Sequence, residues 1–199
     1  TGARWTVPPD PSKTGGSVFF LNSLTSGDGT VIVQPVLQWG LAASGGLTNS
    51  WGIASWFVHN PLGIVSTSPW SKTEAGHEIL GTMVASNCTD SGVCTWNIAT
   101  SDVTASVKTV LETGVNGTVF TEAQSAVLEA YGISSCDLLS GNDSVEFTNV
   151  IVTEPGAANT TTMDVTNSAP WKSIFWPATS YPDCGYGADI GARRAPISY

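Results

Sequence analysis

Charged side chains are scarce in this chain, and basic ones are the scarcest. Only 12% of its 199 residues are charged, with seven Lys and Arg against 16 Asp and Glu, which gives a formal net charge of −9. Arg193-Arg194 is the only basic cluster in the sequence. Because nucleic acids are bound through clustered basic residues, we exclude nucleic acid as a partner. The low charge and the sequence pI of about 4.3 favour a protein that works in acidic surroundings.

Long apolar runs and the common catalytic signatures are missing as well. The sequence has no 18-residue apolar run and no signal-peptide pattern, so we expect no membrane-spanning segment and a chain in its mature form. GxSxG, HExxH, P-loop and GxGxxG motifs are absent, which argues against serine hydrolases, zincins and nucleotide-binding proteins. His59 and His77 have no Cys or carboxylate at ligand spacing, so we predict neither a metal site nor a cofactor.

Cysteines and glycosylation sequons indicate the compartment. Three pairings of the four cysteines are possible, and we favour Cys88–Cys94, which closes the tip of "NCTDSGVC", together with Cys136–Cys184, which joins the tail to the body. The even cysteine count and the four Asn-x-Ser/Thr sequons predict a secreted glycoprotein with disulfide bonds. The sequons lie in polar, turn-like segments, at Asn87, Asn116, Asn142 and Asn159.

Apolar residues alternate with polar ones or come in short runs between turn segments such as "TSGDGT" and "SGNDS", a pattern that predicts an all-β antiparallel sandwich. The segment "TEAQSAVLEAYG" has helical propensity, but its neighbours are strands and we predict a strand there too. The predicted strands are 2–7, 16–22, 30–39, 50–59, 77–85, 93–99, 103–111, 125–133, 144–152, 160–165 and 172–177.

We expect one domain over residues 1–199, with a core at about 16–152. From about residue 153 the sequence is rich in Thr, Pro and Gly, so we predict an irregular C-terminal extension. Aromatic residues are expected to pack this extension onto the core: Trp171, Trp176, Tyr181 and Tyr186.

The segment "VIVQPVLQWG" places two glutamines in an otherwise apolar strand. In a regular strand Gln34 and Gln38 share a face, whereas Pro35 between them suggests a bulge or a sheet edge. Burying a primary amide is costly unless its donors and acceptors are bonded. These side chains are therefore either core amides bonded to the backbone or, with aromatic residues such as Trp51 and Trp56 of "SWGIASWFVHN", parts of a ligand groove.

Several segments, read in order over about residues 17–152, resemble the fungal glutamic peptidases (eqolisins). They are "SVFFLNS", "VIVQPVLQWG", "NSWGIASWFV", "EAGHEILGTMVAS", "GVCTWNIATSDVTASVKTV", "QSAVLEAYGI" and "VEFTNVIV". The resemblance implies a concanavalin A-like jelly-roll sandwich that is secreted and active as a hydrolase at acid pH.

In that family a Gln and a Glu from neighbouring strands form the catalytic dyad, and the resemblance places them at Gln34 and Glu129. An ionised carboxylate takes a proton from water, and the amide donates a hydrogen bond to the oxyanion that forms. Glutamate's reference pKa of about 4.3 allows base chemistry in mild acid. Further side chains expected to contact substrate are Gln38, Trp51, Ser55, Trp56, Tyr131 and Asn22.

The sequence departs from the family in the regions that position substrate, so the fold can be shared while peptidase activity is lost or redirected. The family's Tyr-Glu-Trp core is Ala54-Ser55-Trp56, its Gly-Asp is Gly76-His77, and its Asp near the end of "FFLNS" is replaced by Asn22 or Ser23.

Two alternatives to a peptidase remain open. A lectin-like jelly roll would use the same groove and its tryptophans to bind a glycan, and a lyase or isomerase would use the Glu/Gln pair on a small molecule. The predicted partner is therefore a polypeptide, a glycan or a small-molecule ligand in a groove, and the sequence predicts no oligomeric state.

Overall fold

The computed structural model describes residues 1–41, 47–62, 64–91, 93–114, 118–140 and 144–152, and short segments at 163–164, 182, 184, 187–188 and 194–198. Its strands are β1 (Gly2–Thr6), β2 (Ser17–Ser26), β3 (Val31–Leu41), β4 (Leu47–His59), β5 (Ile64–Thr67), β6 (Ser71–Lys72), β7 (Glu78–Ser86), β8 (Thr95–Asp102), β9 (Val107–Gly114), β10 (Phe120–Tyr131), β11 (Ser144–Val152), β12 (Met163–Asp164), β13 (Gly187–Ala188) and β14 (Arg194–Ser198).

These strands form two antiparallel sheets. The eight-stranded sheet has the order β13-β14-β11-β1-β7-β8-β9, with β12 paired to β11, and the six-stranded sheet has the order β10-β2-β3-β4-β5, with β6 paired to β4. The predicted antiparallel β-sandwich is confirmed, and "TEAQSAVLEAYG" is a strand although its propensity is helical. Short strands β5 and β6 were not predicted.

Apolar side chains from both sheets form the main core. Trp5 of β1 stacks on Phe147 of β11 with ring centroids 4.9 Å apart, and Trp51 of β4 packs against Phe20 of β2 at 5.9 Å. Each large apolar side chain fully removed from water contributes about 1.5–3 kcal/mol to the free energy of folding. The two sheets are therefore held together by the alternate, inward-facing residues of their strands.

Pro35 does not mark a bulge or an edge, as its sequence context suggested. β3 lies inside the six-stranded sheet, and its register with β4 runs through Pro35 without a shift. One residue later the Thr100 hydroxyl of β8 accepts a hydrogen bond from the Val36 N–H at 3.3 Å and donates to the Ala54 carbonyl at 2.8 Å. A hydroxyl from the facing sheet thus bridges two backbone groups of adjacent strands.

Two disulfides join Cys88 to Cys94 and Cys136 to Cys184, which confirms the favoured pairing. The second bond fixes position 184 against the core. The predicted strand at 172–177 and the four aromatic residues expected in the tail lie outside the described residues. In the part of the chain that the structure describes, no helix is long and apolar enough to cross a membrane.

Candidate active site

One face of the six-stranded sheet is turned away from the eight-stranded sheet, and we call it the outer face. The opposite face is identified by its contacts: the Ser55 hydroxyl lies 3.1 Å from that of Thr100 in β8, and the Pro35 ring packs on Gly81 of β7. Because side chains alternate along a strand, Gln34 is on the outer face.

The register groups outer-face residues into three cross-strand rows of directly opposed positions. In the order β10, β2, β3, β4, the Glu129 row contains Glu129, Phe19, Gln38 and Gly52. The Leu21 row contains Val127, Leu21, Val36 and Ala54. The Gln34 row contains Gln124, Ser23, Gln34 and Trp56, where Ser23 is placed opposite Gln34 by continuing the register of the flanking pairs.

Three residues that the sequence assigned to substrate binding face the interior instead. Trp51 is 1% exposed and packs in the core, and the Ser55 hydroxyl bonds towards the eight-stranded sheet. The Asn22 side-chain oxygen is buried against Gly81 of β7. These assignments are corrected because all three side chains lie on the opposite face of the sheet from Gln34.

Glu129 is the ionisable residue of the three rows. Its carboxyl group is partly buried, and this burial raises the pKa of Glu129 above its usual value. The Tyr131 hydroxyl donates a hydrogen bond to Glu129 Oε2 at 3.3 Å, which offsets part of the rise in that pKa. A desolvated carboxyl group that still meets solvent on one side is suited to exchanging a proton near its own pKa.

The register does not place Glu129 beside Gln34. The two residues are two strands apart, and their rows are four residues apart along the strand direction. At about 4.8 Å per strand and 3.3 Å per residue, their Cα atoms are roughly 16 Å apart. Gln38 shares the Glu129 row, so only the two strand spacings, about 10 Å, separate it from Glu129. Gln38 is thus the nearer amide by register.

An apolar patch separates the polar rows. Leu21 and Val36 are 1% and 0% exposed, and they pack with Phe19, Val127 and Trp56. The Phe19 ring also makes edge contacts with Trp56 at 5.7 Å and with Tyr131 at 5.9 Å. Gln34 and Gln38 flank this patch and are themselves buried, at 6% and 1% exposure. The outer face is therefore most accessible along β10.

The Gln34 row is polar but uncharged. The Ser23 hydroxyl donates a hydrogen bond to Gln124 Oε1 at 3.2 Å. The sequence analysis did not identify Gln124. Regular alternation in "QSAVLEAYG" places Gln124 on the opposite face from Glu129, and only the register irregularity between Gln124 and Val127 brings it to the same face.

A second polar cluster lies at the end of β8. Asp102 is fully buried, and its carboxylate accepts hydrogen bonds from the Thr73 hydroxyl at 2.5 Å, His77 Nδ1 at 2.7 Å and the Ala105 N–H at 2.8 Å. Burial raises the pKa of Asp102, but these hydrogen bonds together outweigh burial and hold that pKa below its usual value. The cluster joins the 73–77 segment to β8.

One predicted glycosylation site can be located. Asn87 is exposed at the end of β7, directly before the loop closed by Cys88–Cys94. Its φ of 50° is a left-handed conformation that Asn tolerates. Asn116, Asn142 and Asn159 lie outside the described residues.

Comparison with solved structures shows that the fold is shared with glutamic peptidases. Scytalidoglutamic peptidase, solved with a peptide-based transition-state analogue, matches with a TM-score of 0.62 and 14% identity over 100% of this chain and 90% of that one. The eqolisin SCP-B, solved with the tripeptide Ala-Ile-His, matches with a TM-score of 0.59 and 15% identity over the same shares. Aspergilloglutamic peptidase from Aspergillus niger matches with a TM-score of 0.58 and 15% identity over 92% of this chain and 98% of that one.

No protein-family model and no curated protein matches the chain. The predicted resemblance to eqolisins is confirmed at the level of the fold, at 14–15% sequence identity.

Proposed function

We propose that the outer face binds an extended polypeptide and that the protein is an acid-active, glutamic-peptidase-like hydrolase. The observation that carries this proposal is Glu129, a partly desolvated carboxyl group on the same sheet face as two glutamine amides. The eqolisin-like fold supports it, as do the peptide ligands of the solved structures that share the fold.

In this reaction Glu129 accepts a proton from a water molecule as the water attacks the scissile carbonyl, and later returns it to the leaving amine. A glutamine amide donates a hydrogen bond to the oxyanion. The sequence resemblance assigned that donor to Gln34, whereas the register favours Gln38, so the two are tested side by side.

The raised pKa of Glu129 has a direct consequence for the pH profile. A general base must be ionised, and burial extends the protonated form of Glu129 to higher pH than in a free glutamate. We therefore expect the acid limb of kcat to lie above the reference pKa of about 4.3, in mild rather than strong acid.

Substitution of Glu129 tests the hydrolase. We expect Glu129→Gln to lower hydrolysis of an acid-unfolded protein between pH 3 and 6 by at least 100-fold, because one positioned acid–base group contributes about 10²–10⁴-fold. Glu122→Gln, an exposed glutamate on the same strand, is the matched control and should retain full activity.

Two further variants identify the oxyanion donor. Gln38→Ala and Gln34→Ala are compared at equal folded fraction, and the true donor is the one whose loss lowers kcat by about 10²-fold or more. Cleavage that persists in Glu129→Gln removes the hydrolase proposal.

Binding of a polypeptide without cleavage is the second candidate. It is favoured by the uncharged Gln34 row and by the apolar patch between Glu129 and Gln34. Saturable binding of a peptide by wild-type protein, with no product after prolonged incubation at any pH, would select it. A glycan-binding function has less support, because Trp51 is buried in the core.

We also propose that the protein is secreted and glycosylated at Asn87. Two disulfide bonds and the exposed sequon beside one of them support this. Expression through a eukaryotic secretory pathway, followed by mass measurement before and after glycosidase treatment, should show a glycan that Asn87→Gln reduces.

A further inference from the structure

The side chain of Trp70 lies on the outer face, next to the Glu129 row. A Cβ atom added to Gly52 would lie only 2.0–2.3 Å from atoms Nε1, Cε2 and Cζ2 of the Trp70 indole. The indole therefore occupies the space that any other residue at position 52 would fill. Since Gly52 is directly opposite Gln38, the ring lies beside the Gln38 side chain.

Burial of Gln38 is consistent with this placement. The Gln38 side chain is on the outer face of the sheet, yet it is only 1% exposed, whereas Trp70 itself is partly exposed. A partly exposed indole therefore lies next to the position of a buried amide.

Backbone on both sides of Trp70 is firmly attached to β4. The Ser68 N–H donates to the Ser55 carbonyl at 2.9 Å, and the Ser55 N–H donates to the Ser68 hydroxyl at 2.8 Å. On the other side β6 pairs with β4, and the Thr73 N–H donates to the Trp51 carbonyl at 3.0 Å. Within the described residues, the indole can therefore leave Gly52 by a rotation of the Trp70 side chain, without a displacement of its backbone.

The indole N–H makes rotation less costly. Within the described part of the chain, Trp70 Nε1 is buried and has no hydrogen-bond acceptor. An unpaired buried donor destabilises the seated conformation, and the indole loses no hydrogen bond when it turns out.

We propose that Trp70 is a selectivity residue that controls access to the Gln38 amide. With the ring seated on Gly52, bulky groups are kept from this amide, and a ligand reaches it only by displacing the indole. This role does not depend on hydrolysis and would apply equally to a binding protein.

The test measures access directly. Because all four native cysteines are in disulfides, Gln38→Cys supplies a single free thiol whose reaction with a maleimide can be followed. We expect Trp70→Ala to accelerate labelling of this thiol at least tenfold. Gly52→Ala should have a similar effect, because the new methyl group excludes the indole.

Two controls make each outcome decisive. Ile53→Cys reports on the interior face of the same strand and should label no faster in the Trp70→Ala background. Ala54→Cys is a second outer-face reporter in case Gln38→Cys does not fold, and the same acceleration is expected there. Labelling that changes less than twofold, or that rises equally at Ile53→Cys, would overturn the proposal.

Discussion

At the residue scale, Glu129 is held protonated over a wider pH range than a free glutamate. Burial raises its pKa in the folded protein, and the hydrogen bond from Tyr131 reverses only part of the rise. A group whose folded pKa lies above its unfolded pKa contributes stability below the unfolded value and loses it as pH rises through the folded value. Ionisation of Glu129 therefore lowers the free energy of unfolding as the pH rises towards neutral.

Thermal unfolding as a function of pH checks this coupling. Glu129→Gln keeps the size of the side chain but cannot ionise, so we expect it to melt at a higher temperature than wild type at pH 7. The difference should disappear at pH 3 and below, where Glu129 is almost fully protonated in both the folded and the unfolded state. A difference that is the same at pH 3 and pH 7 would contradict the raised pKa.

Thr100 offers a second residue-scale prediction. Its hydroxyl bonds to the Val36 N–H and the Ala54 carbonyl at once, so Thr100→Val removes one hydrogen bond from each of two buried backbone groups. We expect a loss of about 3 kcal/mol in the free energy of unfolding, measured with urea. Thr100→Ser keeps the hydroxyl and should lose about 1 kcal/mol, the cost of a buried methyl group.

At the element scale, the 73–77 segment depends on one buried carboxylate. The folded pKa of Asp102 is below its usual value, so its contribution to stability is present above the unfolded pKa of about 3.9 and is lost as pH falls through the folded pKa. The segment therefore stays attached to β8 in mild acid and is released only in stronger acid.

Asp102→Asn tests this attachment. Removing the charge from a buried, hydrogen-bonded carboxylate should lower the free energy of unfolding by about 3 kcal/mol at pH 6. The difference in the free energy of unfolding between wild type and Asp102→Asn should narrow as the pH falls below 4. Faster hydrogen exchange at the Thr73 N–H in the variant would show that the segment itself has loosened, and unchanged exchange there would contradict the assigned role.

Elements were predictable where their pattern was local. Alternation predicted β2, β3, β4, β7 and β11 and the shared face of Gln34 and Gln38. Two features escaped because they depend on pairing: the register irregularity in β10 moves Gln124 relative to Glu129, and Pro35 sits in an interior strand. The sequence also could not show which sheet face Asn22 and Ser55 lie on, because a central strand carries apolar residues on both of its faces.

At the scale of the whole molecule, the Cys136–Cys184 bond ties the tail to the core across 48 residues of sequence. Loop-entropy arguments assign such a bond about 4 kcal/mol, against about 2 kcal/mol for the 6-residue separation of Cys88–Cys94. We expect the double variant Cys136→Ser/Cys184→Ser to lower the melting temperature more than Cys88→Ser/Cys94→Ser does. Equal losses would show that loop length does not determine the stabilisation here.

The position of β1 has a consequence for how the molecule is made. β1 lies between β7 and β11, its residues pair with Glu78–Thr82 and with the 147–151 region, and the Thr1 amino group donates to the Met83 carbonyl at 2.8 Å. A nascent chain leaving the ribosome exposes β1 long before either neighbour has emerged. The centre of the eight-stranded sheet therefore closes only after residue 151 has been synthesised, so folding of this domain should be slow.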